Sequence, residues 1–361
     1  MAITNFYSGP SILPQVVLKK AQEALVNFEN TGLSILEISH RSDAFVAVME
    51  NARSIAKELM GLGDDYEAIY MQGGASSQFY MVPQNFLSQN QTAAFIDTGT
   101  WAHGAMEQAS LFGNAHTVAS SKKENYNHIP KTLNLPSDAV YLHLTSNNTI
   151  FGTQYHFLNG AKKHFGVSYP IVADMSSDIL SREMNYSDFD LIYAGAQKNI
   201  GTSGATLVVI KKDFLEKNKA GLPAMVDYKV QVAQKSMKNT PPVFSVYISY
   251  LTLLWIKAQG KENIFSQNEK KANLLYDTID RSNLYQGNVA NEDRSMMNVC
   301  FTLREKALEK TFAEFAKQNE IVGIEGHRSV GGFRASIYNA MPISGVEKLI
   351  EVMRHFEKET A

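Results

Sequence analysis

Between residues 66 and 210 the apolar rhythm of the chain changes repeatedly, and this alternation constrains the fold more than any other feature. Short apolar runs at 67–71, 93–97, 140–145 and 170–174 read as strands. Stretches with helical spacing separate them, such as 101–112, closed by Gly113. Two more runs, 190–193 and 205–210, flank a loop of small residues. Strands joined through helices need crossovers, and crossovers give parallel pairing with helices on both faces. The expectation is an α/β fold with a mostly parallel central sheet and helices on both faces. Before the first strand, Phe45, Val48, Met49, Ala52, Ile55, Ala56 and Leu59 recur at helical steps, with Asp43 as cap and Gly61 as stop. The segment 34–41 alternates briefly and reads as a short strand ending in His40 and Arg41. Pro83 is expected to kink or break the helix that follows Gly73-Gly74-Ala75-Ser76-Ser77, where Ser76 or Ser77 would cap. Beyond about residue 260 the rhythm changes. A long helical stretch at 246–280 precedes a strand at 295–303, a helix at 306–319, a Gly-rich turn with a strand at 326–336, and a last helix at 345–357. This predicts a smaller α+β domain.

Composition removes whole classes of function. Lys+Arg number 34 against Asp+Glu 36, a net charge of −2, so nothing marks a nucleic-acid or membrane-surface protein. The one cysteine, Cys300, excludes an intrachain disulfide and a thiolate metal cage. It lies in an apolar run, which favours a buried inert thiol over a nucleophile. The N-terminus lacks the basic start and apolar core of a signal peptide, and no apolar stretch is long enough to span a bilayer. A cytoplasmic protein is expected. Of the metal and hydrolase motifs, His-Glu-x-x-His and Gly-x-Ser-x-Gly are absent, and the nine histidines show no ligand spacing.

The chemistry centres on Tyr193-Ala194-Gly195-Ala196-Gln197-Lys198-Asn199-Ile200-Gly201. This loop is longer than a hairpin needs and carries Gly195, Gly201 and Gly204, so its backbone can be approached closely. Lys198 in such a loop can hold an aldehyde carbon as an imine. Asp174 ends a strand about one crossover earlier, where a carboxylate could keep a pyridine-type ring nitrogen protonated. A capping Asp and a surface Lys are the plainer alternative. Gly73-Gly74-Ala75-Ser76, after a strand and before a helix, offers N–H groups and a helix dipole to a phosphate, or is only a turn. It is neither a Walker loop nor Gly-x-Gly-x-x-Gly, and a nucleotide-binding dehydrogenase would need the latter. Trp101 could stack on a flat ring or anchor a core. His40-Arg41, His327-Arg328 and Arg334 could build a site for a dianionic ligand, because arginine pairs bidentately with carboxylate and phosphate; surface ion pairs are the alternative. Asn239-Thr240-Pro241-Pro242 is a stiff loop that either presents a hydroxyl and an amide or merely connects.

Together and in this order, Ser39-His40-Arg41, the Lys198 loop, Asn239-Thr240-Pro241-Pro242 and Gly326-His327-Arg328 resemble the phosphoserine aminotransferase family, which is pyridoxal-phosphate dependent and of fold type I. The likeness runs from Ser8-Gly9-Pro10 to the segment after Arg334. It implies a large cofactor-binding domain at 16–260 and a small domain from 1–15 and 261–361. It implies that Lys198 carries pyridoxal 5'-phosphate and shuttles the substrate proton, that Asp174 pairs with the ring nitrogen, that Trp101 stacks on the ring, and that Thr149 bonds the ring hydroxyl. Ala75, Ser76 and Gln197 would hold the phosphate, joined by Asn239 and Thr240 from a neighbouring subunit of a homodimer. Arg334 would take the substrate α-carboxylate. His40 and Arg41, with His327 and Arg328 of the second subunit, would take the distal anion, with Ser8 near the substrate. The implied reaction converts 3-phosphohydroxypyruvate and L-glutamate to O-phospho-L-serine and 2-oxoglutarate by a ping-pong route in serine biosynthesis. Some relatives also aminate a phosphorylated four-carbon acid on the way to pyridoxine. One departure stands out: some members have Gly-Arg where this chain has Ala75-Ser76, so the distal phosphate grip falls here to the His-Arg pairs. Another acceptor, or a desulfurase-like lyase, is the alternative; the lyase needs a reactive cysteine that Cys300 is badly placed to be.

Overall fold

The computed structural model describes residues 3–360. Seven strands form the main sheet in the order Tyr66–Gln72, Ala205–Lys211, Leu191–Gly195, Ile171–Asp174, Leu142–Thr145, Thr92–Asp97, Asn114–Ser120. All run parallel except Ala205–Lys211, which is antiparallel to both neighbours. The α/β expectation therefore holds. The central strands at 142–145, 171–174 and 191–195 are buried throughout, as strands covered on both faces must be. One apolar cluster joins one face of the sheet to the helices Asp43–Met60 and Val243–Gln259. Another joins the opposite face to the helices Ser76–Phe86 and Thr100–Ala109. The C-terminal ends of the parallel strands lie along one sheet edge, where open α/β sheets collect their ligands.

A second, three-stranded antiparallel sheet has the order Phe333–Ser336, Asn298–Leu303, Tyr285–Gly287. It packs with the helices Lys261–Arg281, Glu309–Gln318 and Ile343–Thr360 around a separate apolar cluster that includes Phe6. Phe6 reaches this cluster because the strand Thr4–Asn5 pairs in parallel with Ile321–Val322. No described helix is long and apolar enough to cross a membrane.

Several local expectations need correction. Segment 34–41 is a run of turns; Ser34 O accepts from the N–H groups of Glu37 and Ile38, which curls the chain instead of extending it. The 246–280 stretch is two helices, because Gly260 sits at φ +81° and ends the first. Pro83 lies inside an unbroken helix, where its lost N–H is offset by burial of Gln78, Phe79, Met81, Val82, Asn85 and Phe86 around it. Ser42, not Asp43, caps its helix by accepting from Phe45 N. The cap position of Ser76–Phe86 is Ala75, with no side-chain bond. The strand Asn114–Ser120 was not expected; it is a sheet edge of mostly small and polar residues, with only Val118 buried, so it lacks an apolar signal.

Candidate active site

The hairpin between Leu191–Gly195 and Ala205–Lys211 carries Lys198 to the ligand-collecting edge of the sheet. Lys198 Nζ donates to Thr149 Oγ1 at 2.7 Å. Burial pulls the ammonium pKa down to about 8, and the Arg334 guanidinium pushes the same way while Asp174 opposes both. A lysine so placed keeps about a tenth of its amine neutral at pH 7, far more than a solvated one. The N-terminal segment braces this loop. Ser11 N–H donates to Gln197 O at 3.0 Å and its hydroxyl to Lys198 O at 2.6 Å. A Cβ at Gly9 would stand 3.4 Å from Gln197 Cγ, so glycine permits the close approach.

Asp174 pairs in register with Tyr193 on the adjacent strand, which brings the carboxylate and the lysine loop together. Its Oδ1 accepts from Ser176 N–H at 2.9 Å and from Ser176 Oγ at 2.6 Å. Ser176 Oγ in turn accepts from Gly195 N–H at 3.1 Å, so one serine joins the carboxylate to the lysine hairpin. Oδ2 accepts no hydrogen bond among the described residues. Burial pushes the Asp174 pKa up, opposed by Lys198 and by Ser176. A buried carboxylate with one oxygen bonded and the other free suits a cationic N–H partner.

Arg334 completes this group. Its two terminal nitrogens donate to Thr149 O at 3.3 Å and Ser8 Oγ at 2.8 Å, while its buried Nε finds no partner among the described residues. At the far side, Gly73 adopts φ +90° and turns the chain into the helix Ser76–Phe86. Ala75 and Ser76 N–H find no acceptor among the described residues, so uncapped donors point out of the first turn. The next helix, which carries Trp101, packs against Phe79 of this one at Gly104. Trp101 Nε1 and Gln197 Oε1 are buried without partners among the described residues. An aromatic ring, an aldehyde and a phosphate are the groups these donors, acceptors and stacking surface fit. Pyridoxal 5'-phosphate contains all three.

The chain does not close the rest of the expected site. His40 and Arg41 lie on the 34–41 turns; Arg41 is exposed and His40 Nε2 has no partner among the described residues. His327 binds Ser329 Oγ at 2.7 Å, and burial with the charges of Arg334 and Arg328 lowers its pKa; Arg328 is exposed. Asn239 and Thr240 sit on a surface loop held by Gln72 Nε2 to Thr240 O at 3.1 Å. Ser11, Ser176 and Asn199 were not anticipated: Ser11 bonds Lys198 O, Ser176 joins Asp174 to Gly195 N–H on the next strand, and Asn199 Oδ1 accepts from Asn339 N–H, pairings without a local signature. Cys300 is buried beside Ile150 O, and burial pushes its thiol up to about 12, which fits an inert group.

The profile described as Aminotransferase class-V matches residues 3–349. The phosphoserine aminotransferase of Flavobacterium johnsoniae is 53% identical over 357 residues, covering 98% of this chain and 99% of its own. The solved phosphoserine aminotransferase of Bacillus circulans subsp. alkalophilus superposes with a TM-score of 0.95 at 44% identity, covering 99% of both chains. The pyridoxal-phosphate-bound phosphoserine aminotransferase of Trichomonas vaginalis gives a TM-score of 0.91 at 32% identity, covering 98% of this chain and 99% of its own. With near-complete coverage at these identities, the chain belongs to the class-V aminotransferases and, within them, to the phosphoserine aminotransferase family.

Proposed function

We propose that this site transfers the amino group of L-glutamate to 3-phosphohydroxypyruvate, yielding 2-oxoglutarate and O-phospho-L-serine, in serine biosynthesis. The observation that carries the reading is Lys198, its pKa pulled down to about 8, 2.7 Å from Thr149 Oγ1, with Asp174 and Arg334 acting on its charge. Pyridoxal 5'-phosphate, when bound, supplies the aldehyde that takes up an amine and the electron-poor ring that stabilises charge at the adjacent carbon.

The chain's residues have these roles in the proposal. Asp174 Oδ2 faces the ring nitrogen and keeps it protonated, with Ser176 fixing the other oxygen. Thr149 Oγ1 serves the ring hydroxyl and Trp101 covers the ring. Ala75, Ser76 and Gln197 hold the phosphate, aided by Asn239 and Thr240 of a second copy. Lys198 Nζ, once free, takes the proton from the substrate Cα and returns it on the other side of the reaction. Arg334, braced by Ser8, binds the α-carboxylate that both substrates share. His40 and Arg41, with His327 and Arg328 of a second copy, bind the distal carboxylate or phosphate. One site then accepts both substrates in turn, as a ping-pong reaction requires. The assignment goes with a cytoplasmic homodimer whose cofactor-binding unit spans 16–260 and whose smaller unit comprises 1–15 and 261–361.

The test is a half-reaction. Loaded protein mixed with L-glutamate alone should release one equivalent of 2-oxoglutarate per site, and 3-phosphohydroxypyruvate added afterwards should yield O-phospho-L-serine. No 2-oxoglutarate before the acceptor is added would contradict the proposal. A panel of other keto acids measures how far Ser76, in place of the arginine of some relatives, loosens the preference for a phosphorylated acceptor.

A further inference from the structure

Lys198 and Arg334 come from different sheets, and something must hold them in register. The turn after the strand Phe333–Ser336 is where the connections meet. Asn339 N–H donates to Asn199 Oδ1 at 3.0 Å, beside Lys198. Asn339 Nδ2 donates to Leu180 O at 3.0 Å, in the crossover that leads away from Asp174. The Tyr338 hydroxyl donates to Ser8 O at 2.8 Å, and Ser8 Oγ accepts from Arg334 at 2.8 Å. One turn thus touches the lysine loop, the crossover after the carboxylate and the segment that braces the arginine.

A second lysine holds this turn from behind. Lys271, on the helix Lys261–Arg281, is 1% exposed. Its Nζ donates to the carbonyls of Ile337 at 2.9 Å, Tyr338 at 2.7 Å and Met341 at 3.0 Å. An ammonium has three donors and no acceptor, so its hydrogen-bonding capacity is fully used. Asn268, three residues earlier on the same helix face, donates to Asn339 Oδ1 and Ser181 O, both at 2.8 Å. Among the described residues no carboxylate pairs with Lys271. Burial pushes its pKa down to about 7, while three close carbonyls favour the charged form. An apolar side chain of similar length would fill the same space without that desolvation cost, so packing alone does not explain a lysine here. What the ammonium adds is the convergence of three carbonyls from one turn.

We propose that Lys271 is a positioning residue: by gathering the carbonyls of residues 337, 338 and 341 it fixes this turn and so sets Arg334 against Lys198. The inference rests on the assignment of Arg334 to the α-carboxylate. Substrates that carry this carboxylate depend on the turn, and an amine that lacks it does not.

The experiment compares two amines in the half-reaction of the pyridoxal-phosphate-loaded enzyme: L-glutamate, and 4-aminobutyrate, which keeps the amine and the distal carboxylate but has no α-carboxylate. In Lys271→Met, kcat/KM for L-glutamate should fall roughly tenfold or more through KM, with 4-aminobutyrate unaffected and the absorbance of the loaded protein unchanged. Tyr338→Phe removes only the hydroxyl's bonds and should move the ratio of the two amines in the same direction by a smaller factor. It decides the matter if Lys271→Met does not fold. Arg334→Lys is the reference. If it collapses the ratio while Tyr338→Phe and any folded Lys271→Met leave the ratio at the wild-type value, the positioning role is overturned and the substrate assignment stands. Equal losses for both amines in Lys271→Met would mark a general structural defect and also overturn it. If Arg334→Lys leaves the ratio unchanged, the α-carboxylate assignment fails and this inference fails with it.

Discussion

The two halves of the site differ in how far one chain completes them. Around Lys198, hydrogen bonds of 2.6–3.3 Å to side-chain and backbone atoms hold Thr149, Ser176, Asp174, Arg334, Ser8 and Ser11 to one another or to the lysine hairpin. Around His40, Arg41, His327 and Arg328 there is no such web: both arginines are exposed and, among the described residues, neither forms an ion pair. Interior bonds of this kind hold a geometry in advance, whereas solvated cations wait for an anion and are worth little until they are desolvated. On the proposed reading, the groups around the reacting amine are arranged within the single chain, and the choice of distal group is left to what closes over it. A second copy of the chain is the closure we propose.

The comparison can be broken at its rigid end first. Lys198→Ala should lower turnover by about a thousandfold or more, since both the cofactor's attachment point and the proton carrier are lost. Steady-state assays with L-glutamate and 3-phosphohydroxypyruvate measure it; a loss below tenfold would move the chemistry elsewhere. Asp174→Asn should cost about a hundredfold in kcat while pyridoxal phosphate still binds by absorbance. Full activity would end the ring-nitrogen assignment.

The same pair sets a pH dependence. Neutral Lys198 is the reactive form, so the rate at which the cofactor-free protein captures pyridoxal phosphate should rise with pH through about 8 and level above it. Asp174 holds that pKa up, so Asp174→Asn should move the midpoint down. A midpoint that stays above 10, where a solvated lysine titrates, would mean that Lys198 is not desolvated as described.

At the open end, effects should be smaller and lie in binding. Arg41→Ala should raise KM about tenfold for both substrates with little change in kcat, because both would use the distal anion site. An unchanged KM for both would remove Arg41 from the site. The smallest effect is expected for Cys300→Ala, which should leave turnover within about twofold of wild type. A large loss there would favour the lyase reading.

Sequence reasoning reached the elements whose signals are local. The buried strands at 171–174 and 191–195 are continuous apolar runs, and Lys198 is conspicuous in its small-residue loop. It missed what depends on partners distant in the chain. The strand Asn114–Ser120 exists because Thr92–Asp97 pairs with it, not because its own residues favour burial. Segment 34–41 alternates like a strand but has no strand to pair with, so its backbone satisfies itself in turns. Ser11 and Lys271 carry no local signal; only the fold sets them against Lys198 O and three carbonyls. The His-Arg pairs were visible as residue types, but the convergence on one anion that we propose for them needs a second copy of the chain.

Borohydride reduction of the pyridoxal-phosphate-loaded protein, followed by peptide mapping, tests the central claim most directly. The account predicts one cofactor per chain, fixed covalently to Lys198, even though Lys271 also has a depressed pKa and is more deeply buried. A label on Lys271 or any other lysine, or no label at all, would contradict it.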